Sequence, residues 1–442
     1  MYFSLDLNII IGVSVIRIFY IILFTTSLFG STLDGLIQYA IKHSTVVKQS
    51  QTQVELAQTK REESRVQQYG SLDLIGDYTH YNTPRTLMPL TPALISSGGA
   101  VSTTQDLFSA GITYNVPLFT GFAQTRQIEI DDIAKQMSTA KASLTKEQLI
   151  YNIRSLYLSI LAQEEIVAAQ RSYTQALKKL TKQIAYEVKI GKKAKIDLLK
   201  SQSDLRASQT QQDILVSNIA ITKATLSSLA GKNVGNVTPL SIKVKKPSYS
   251  VNKLYAQASG LAKVEMEDMA LGKADKRIAQ SESAKLPQVN FSSYVGKNYG
   301  EDLVSKDWEN ETLWQVGVNV KWNLVDFGKR DLSTQQAKIA KMEAIFNKEQ
   351  TLLDLRKLLT QGVEKIKQSY AEYLGNSAEL RLSQKSESIE QVRYENDAAT
   401  LNDLLLAKGK KQLASAKLIE SKYNYQKSIY YLDYLLERGM NP

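Results

Sequence analysis

Residues 108–118 alternate without a break. Phe108, Ala110, Ile112, Tyr114, Val116 and Leu118 fall on one parity, and Ser109, Gly111, Thr113, Asn115 and Pro117 on the other. Residues 314–324 repeat the pattern, with Trp314, Val316, Val318, Val320, Trp322 and Leu324 against Gln315, Gly317, Asn319, Lys321 and Asn323. A period of two puts the two sets on opposite faces of a strand, and about ten such residues are the signature of a membrane β-strand. Trp314 and Trp322 would stand about 26 Å apart, near the height of an outer-membrane apolar band, whose rims favour aromatics. Weaker partners precede each strand. Residues 71–79 carry Leu72, Leu74 and Tyr78 on one face and Ile75 on the other; residues 288–297 set Val289, Phe291 and Val295 against Asn290, Ser292 and Tyr294. The strands predicted are about 71–79, 107–118, 288–297 and 313–325. The loop over 80–106 is long and holds Pro84, Pro89, Pro92, Gly98 and Gly99, whereas that over 298–312 is shorter and polar.

Between the strands the pattern turns helical. No proline lies between Pro117 and Pro239 or between Pro287 and Pro442, and no glycine between Gly121 and Gly191. Proline costs about 3 kcal/mol and glycine about 1 kcal/mol inside a helix, so clearing both is what very long helices require. Helices are predicted over 32–68, 121–188, 197–230, 252–284, 328–395 and 403–437. The longest would reach about 100 Å, more than a globular core needs and enough for a tube between membranes. Leu198, Leu205, Ile219 and Leu226 form a heptad seam interrupted by Gln212, beside a row of Ser201, Ser208, Leu215, Thr222 and Leu229. Mixed large and small residues allow close helix approach. The two shorter helices of each set, laid end to end, match one long helix.

The chain is a tandem repeat at a spacing of 206 residues: Gly111–Phe119 lies over Gly317–Val325, Ile133-Ala134-Lys135 over Ile339-Ala340-Lys341, Asp197-Leu198-Leu199 over Asp403-Leu404-Leu405, and Leu226 and Leu229 over Leu432 and Leu435. Four matches in register indicate duplication. The predicted organisation is a signal peptide over 1–30, a first repeat over 31–240 with its tip at 189–197, and a second over 241–442 with its tip at 396–403. Four strands cannot close a barrel, and an open sheet edge is prohibited in hydrocarbon. Several chains must pool strands: two copies give eight, three give twelve and four give sixteen.

Composition narrows the function. Without cysteine, a disulfide framework, a thiolate metal site and a lipidated cysteine are all excluded. The net charge of +11 is spread along helices, not gathered in a nucleic-acid patch. The apolar run Ile18–Phe29 behind Arg17 is too short to span a bilayer; with Gly30 and Ser31 after it, it fits a secretory signal cleaved near Gly30–Thr32, and an uncleaved anchor including Asn8–Ile16 is the competing reading. His43 and His80 are the only histidines. Phosphate-loop, zinc-protease and nucleophile-elbow motifs are missing, and the pairs Asp131-Asp132 and Glu164-Glu165 point to different helix directions. Neither an enzyme nor a cofactor or metal is expected.

These features resemble the TolC-like outer membrane efflux protein family across the mature chain. The specific marks are Tyr114-Asn-Val-Pro-Leu-Phe-Thr-Gly121 at a strand-to-helix junction, Gly191 followed six residues later by Asp197-Leu198-Leu199 at a helix tip, and the duplication itself. The resemblance implies a mainly α fold: an α-barrel of coiled-coil helices continuous with a membrane β-barrel to which each of three chains gives four strands. It implies a homotrimer in the outer membrane of a Gram-negative bacterium, with a periplasmic tunnel. The partners it implies are a periplasmic adaptor, an inner-membrane pump (RND, MFS or ABC type) and outer-membrane lipid, and the function is the exit duct of a tripartite efflux pump or type I secretion system. A scaffold coiled coil without channel activity is the alternative. Lipid-facing positions would be Phe108, Ile112, Tyr114, Val116, Trp314, Val316, Val318, Val320 and Trp322. The family's gate pair falls on Asp197 and Tyr394, and its acidic constriction on Asp403. Gly191, Lys192, Lys193, Asp397 and Ala398 are the expected adaptor-docking tips. The chain departs from the family at Asp397 (opposite Gly191), at Ala399 in place of a locking arginine, and at Leu406 in place of a second constriction aspartate. Blander readings are N-capping for Asp197 and Asp403, packing for Tyr394, and a solvated turn for the lysines.

Overall fold

The structure, a computed structural model, describes residues 31–98 and 101–439; the signal segment expected over 1–30 lies outside them. The first repeat contains α1 (Leu33–His43), α2 (Thr45–Val66), β1 (Ser71–Thr86), the short α3 (Pro92–Ser96), β2 (Thr103–Phe119), α4 (Ala123–Lys189) and α5 (Lys195–Ala230). The second contains α6 (Val251–Ala256), α7 (Ala262–Ser283), β3 (Gln288–Glu301), β4 (Trp308–Lys321), α8 (Lys329–Glu395) and α9 (Leu401–Leu435). Both α4 and α8 are 67 residues long, about 100 Å.

The strands form one antiparallel sheet in the order β1-β2-β3-β4. Its register gathers the apolar residues of all four strands onto one face. Leu74 opposes Ile112, Tyr78 opposes Phe108, Val116 opposes Phe291, and Val295 opposes Trp314. Trp314, Val316, Val318, Val320 and Trp322 are between 57 % and 71 % exposed, so none of the described residues covers them. A row of rings crosses this face at the loop end, Tyr78 lying 4.6 Å from Phe108 and Phe108 lying 5.5 Å from Trp308. On the polar face Gly111 opposes Gly296, and the Tyr294 ring occupies the space their side chains would fill. Among the described residues β1 and β4 have no outer neighbour, so the sheet ends in two open edges.

Below the sheet, α2 and α5 lie along α4, while α7 and α9 lie between α4 and α8. The two shorter helices of each repeat thus back its long one. Ser201 and Ser208 sit buried in the α4–α5 seam, where Thr181 donates to the Ser201 carbonyl (3.2 Å) and Gln170 donates to the Ser208 hydroxyl (2.9 Å). Small hydroxyl residues therefore bring the helices close and satisfy each other's polar atoms.

Four positive-φ positions at the helix boundaries of the first repeat have counterparts 206 residues on. Gly121 (63°) and Phe122 (69°) match Phe327 (53°) and Gly328 (92°), Gly191 (80°) matches Asp397 (54°), and Gly231 (75°) matches Glu437 (53°). The backbone turns survive duplication even where glycine does not. Glu437 gains a role thereby, accepting the backbone N–H groups of Ala262 (2.7 Å) and Lys263 (3.2 Å) at the start of α7.

Halfway down α4 the molecule thickens. Here Leu36, Ala40, Ile153, Tyr157, Leu158, Leu226 and Val234 form one core, and Leu254, Val264, Leu359, Ile366 and Leu432 a second. The chain between α5 and α6 is a strap across both, with Leu240 and Ile242 on the first core and Val244 on the second. Tyr157 donates its hydroxyl to the carbonyls of Ser31 (2.8 Å) and Thr238 (2.7 Å). Tyr157→Phe removes that tie and is expected to cost about 1–2 kcal/mol, measured as a lower thermal midpoint with unchanged helix content.

Candidate functional site: the helix tips

The end of the bundle remote from the sheet is made by the turns α4–α5 and α8–α9. Each long helix stops at a left-handed residue, Gly191 or Asp397. Glycine reaches that conformation freely and Asp tolerates it. A small core ties the turns together: Leu177, Leu180, Ile184, Tyr394, Leu401, Leu404 and Leu405 are buried, with Leu198 and Leu205 against them.

A charge contact closes the tip. Lys193 donates from Nζ to Asp397 Oδ1 at 2.7 Å and lies 4.8 Å from the centroid of the Tyr394 ring. The hydrogen bond holds Lys193 above its ordinary pKa and Asp397 below its own. Arg393 donates to the Ala398 carbonyl (3.2 Å), fixing the second turn from its own helix. Gly191 and Lys192 remain exposed.

Asp197 and Asp403 are not the N-caps that the bland reading expects. Helix α5 begins at Lys195 behind Ala194, which puts Asp197 at the third helical position. Helix α9 begins behind Thr400, which with Asp403 builds a reciprocal capping box. Thr400 Oγ1 donates to Asp403 Oδ2 (2.7 Å), and the Asp403 N–H donates back to Thr400 Oγ1 (3.2 Å). These bonds from the Thr400 hydroxyl and backbone lower the Asp403 pKa. A lowered carboxylate stabilises above its unfolded value and loses that contribution as pH falls through the folded one. The Asp403 cap therefore weakens only in acid below the normal carboxylate range.

Tyr394 is 4 % exposed, and its hydroxyl has no hydrogen-bond partner among the described residues. Burial raises its pKa, and Asp197 is close enough to add to the rise. The tip thus brings Asp197 near Tyr394 without a bond between them. The tie between the two turns is instead Lys193–Asp397, a pairing that sequence reasoning missed although it named both residues. No helix of the described residues is long and apolar enough to cross a membrane, and no acidic or histidine cluster among them could hold a metal.

Residues 36–232 match the outer membrane efflux protein family. The described chain as a whole has the TolC-like channel fold. It superposes on the Campylobacter jejuni CmeC outer membrane channel with a TM-score of 0.75 at 16 % identity, covering 92 % of this chain and 86 % of that one. The Vibrio cholerae outer membrane protein VceC gives 0.74 at 14 %, covering 92 % and 96 %. The open state of the Neisseria gonorrhoeae MtrE outer membrane channel gives 0.72 at 16 %, covering 92 % and 89 %. A search of curated proteins returns no match.

Proposed function

We propose that the chain is a passive outer-membrane exit duct of a tripartite efflux or type I secretion assembly, working as a homotrimer. The single observation that carries this is the sheet, with two open edges among the described residues and an apolar face on which Trp314, Val316, Val318 and Val320 stand exposed, set on helices of 67 residues. Hydrocarbon tolerates the face but not the edges, and closure with copies of the same chain satisfies both. Three copies would give a twelve-stranded barrel above an α-helical tunnel in the periplasm, with Phe108, Ile112, Tyr114, Val116 and the β4 residues toward lipid. Energy would come from an inner-membrane pump, reached through a periplasmic adaptor at the tips around Gly191, Lys192, Lys193, Asp397 and Ala398.

The gate in this reading is the tip, with Asp197 and Tyr394 beside the Lys193–Asp397 contact, and with Asp403 repeated around the axis as a carboxylate ring. Purified protein is expected to need detergent, to run as a heat-modifiable trimer and to form channels in planar bilayers. A helical monomer soluble without detergent would refute the duct and favour a scaffold. Asp403→Ala should weaken block by multivalent cations while leaving the channel formed. Equal block in parent and variant would place the cation ring elsewhere.

A further inference from the structure

The strap between α5 and α6 has an unusual charge balance. From Ile214 to Val264 there is not one aspartate or glutamate, while Lys243, Lys245, Lys246 and Lys253 crowd into the strap and the start of α6. All four are exposed. Several lysines on the helices are neutralised by a carboxylate. Lys223 pairs with Glu164, Lys276 with Glu129, Lys341 with Asp275, Lys408 with Glu387 and Lys422 with Glu165. None of the four strap lysines enters an ion pair among the described residues.

Their direction is fixed by the backbone. The segment is extended, and Leu240, Ile242 and Val244 turn inward onto the two mid-bundle cores. Alternation along an extended chain sends Ser241, Lys243 and Lys245 the other way. Tyr425 locks this arrangement, donating its hydroxyl to the Lys245 carbonyl at 2.7 Å. The result is a strap whose outer side is lysine and serine with the exposed ring of Tyr249 among them. Protein interfaces build on a buried apolar centre with charged residues depleted there, and this strap has turned its apolar residues away. It is suited to a flexible, hydrated polyanion.

Height along the tube says which polyanion is in reach. Tyr157, beside the strap, is roughly 50 Å along α4 from its start at Ala123 and roughly 50 Å from the tip. Extra material beyond the helix layer fits the convex side of a closed tube, where circumference is larger. On the placement proposed above, on which this inference rests, a belt of unpaired ammonium groups would ring the duct midway between membrane and tips. We propose that this belt binds the carboxylate-bearing glycan–peptide polymer of the cell wall, which surrounds any tube crossing the periplasm.

Purified full-length protein in detergent is sedimented with isolated peptidoglycan sacculi at about 0.01 M and about 1 M salt, where the screening length is about 30 Å and 3 Å. The parent is expected to pellet at low salt and stay in solution at high salt. The exposed-site variant Lys243→Gln/Lys245→Gln/Lys246→Gln/Lys253→Gln should bind at least about ten-fold more weakly while conducting like the parent in bilayers. Conductance tests the duct and sedimentation tests the strap, so the two ideas fail separately. Three results would overturn the strap's assignment: a parent that does not pellet, a variant that pellets equally, or pelleting that survives amidation of the sacculus carboxylates. A variant with unchanged sedimentation but altered ion selectivity would put the lysines in the bore, and the proposal would fall.

Discussion

Gly70→Ala is expected to abolish the heat-modifiable oligomer while leaving helix content nearly unchanged. Gly70 joins the first helical segment to β1 with φ 72° and ψ −157°, a region essentially restricted to glycine. A Cβ there would overlap the Asn115 carbonyl and the Val116 Cα of β2, both of them backbone. Neither atom can rotate away, so the edge strand must shift. The conformational cost alone is about 1–3 kcal/mol, and the overlap adds to it. The strand that moves is an open edge, the one that sealing against a neighbouring copy would use. Helices α4 and α8 begin elsewhere and should still form. Gly98→Ala is the matched control: Gly98 also has positive φ (65°), but nothing among the described residues lies within 4 Å of the added carbon. Gel mobility before and after heating, with circular dichroism, separates the two. Parent-like amounts of oligomer from Gly70→Ala would remove the edge strand from the assembly argument.

The sheet was legible because the alternation of apolar and polar residues has the period of a strand. From Trp314 to Val320 every second residue of β4 is apolar, and that parity lies on one face through the register. Alternation fails where the chain is held by something other than parity. Strand β1 continues to Thr86, well past the 79 that its pattern suggests, because residues 80–86 carry Pro84 and a register shift between His80 and Arg85. Ile75, which looks misplaced, opposes Gly111 on the polar face and stays 38 % exposed. Helices were legible through absent proline and glycine, but their interruptions were not. The segment 32–68 breaks at Ser44 and the segment 252–284 at residues 257–261, where tertiary packing against α4 and α8 sets the direction. Neither sequence carries a strong breaker at the first of these points. Helix starts at the tips were off by two residues, since Asp before an apolar run signals the first turn without fixing which position in it.

The tip shows the limit most clearly. Spacing alone identifies Asp397 as the counterpart of Gly191, and so as the left-handed residue of the second turn. What spacing cannot supply is the partner across the turns. Lys193 lies in the other repeat, and its reach to Asp397 depends on how the two hairpins lean together over Tyr394. An aspartate at a glycine site then does two things: it accepts the left-handed backbone, and it places a carboxylate where glycine would leave none.

Lys193→Glu is accordingly expected to loosen the tip more than loss of the contact does. Lys193 keeps only 22 % of its side chain exposed, whereas Asp397 keeps 82 %. An exposed pair contributes little by itself, so Lys193→Gln should change conductance slightly. Reversal is different. It sets a carboxylate against Asp397 and near Glu187, which already acts on Lys193, and it removes the cation from the Tyr394 ring. Like charges at this range disfavour the closed turn pair, and a threefold assembly would repeat the conflict at every tip. Single-channel conductance in planar bilayers is expected to rise severalfold, and low salt should exaggerate the rise because screening is weaker there. Pairing Lys193→Glu with Asp397→Lys restores opposite charges in swapped positions and should bring conductance back toward the parent. Tyr394→Phe removes only a hydroxyl without a hydrogen-bond partner among the described residues, so its effect should be the smallest of the set. If the reversal conducts like the parent, or the swap fails to restore closure, the Lys193–Asp397 contact does not hold the tip, and the Leu-rich core around Leu404 does so alone.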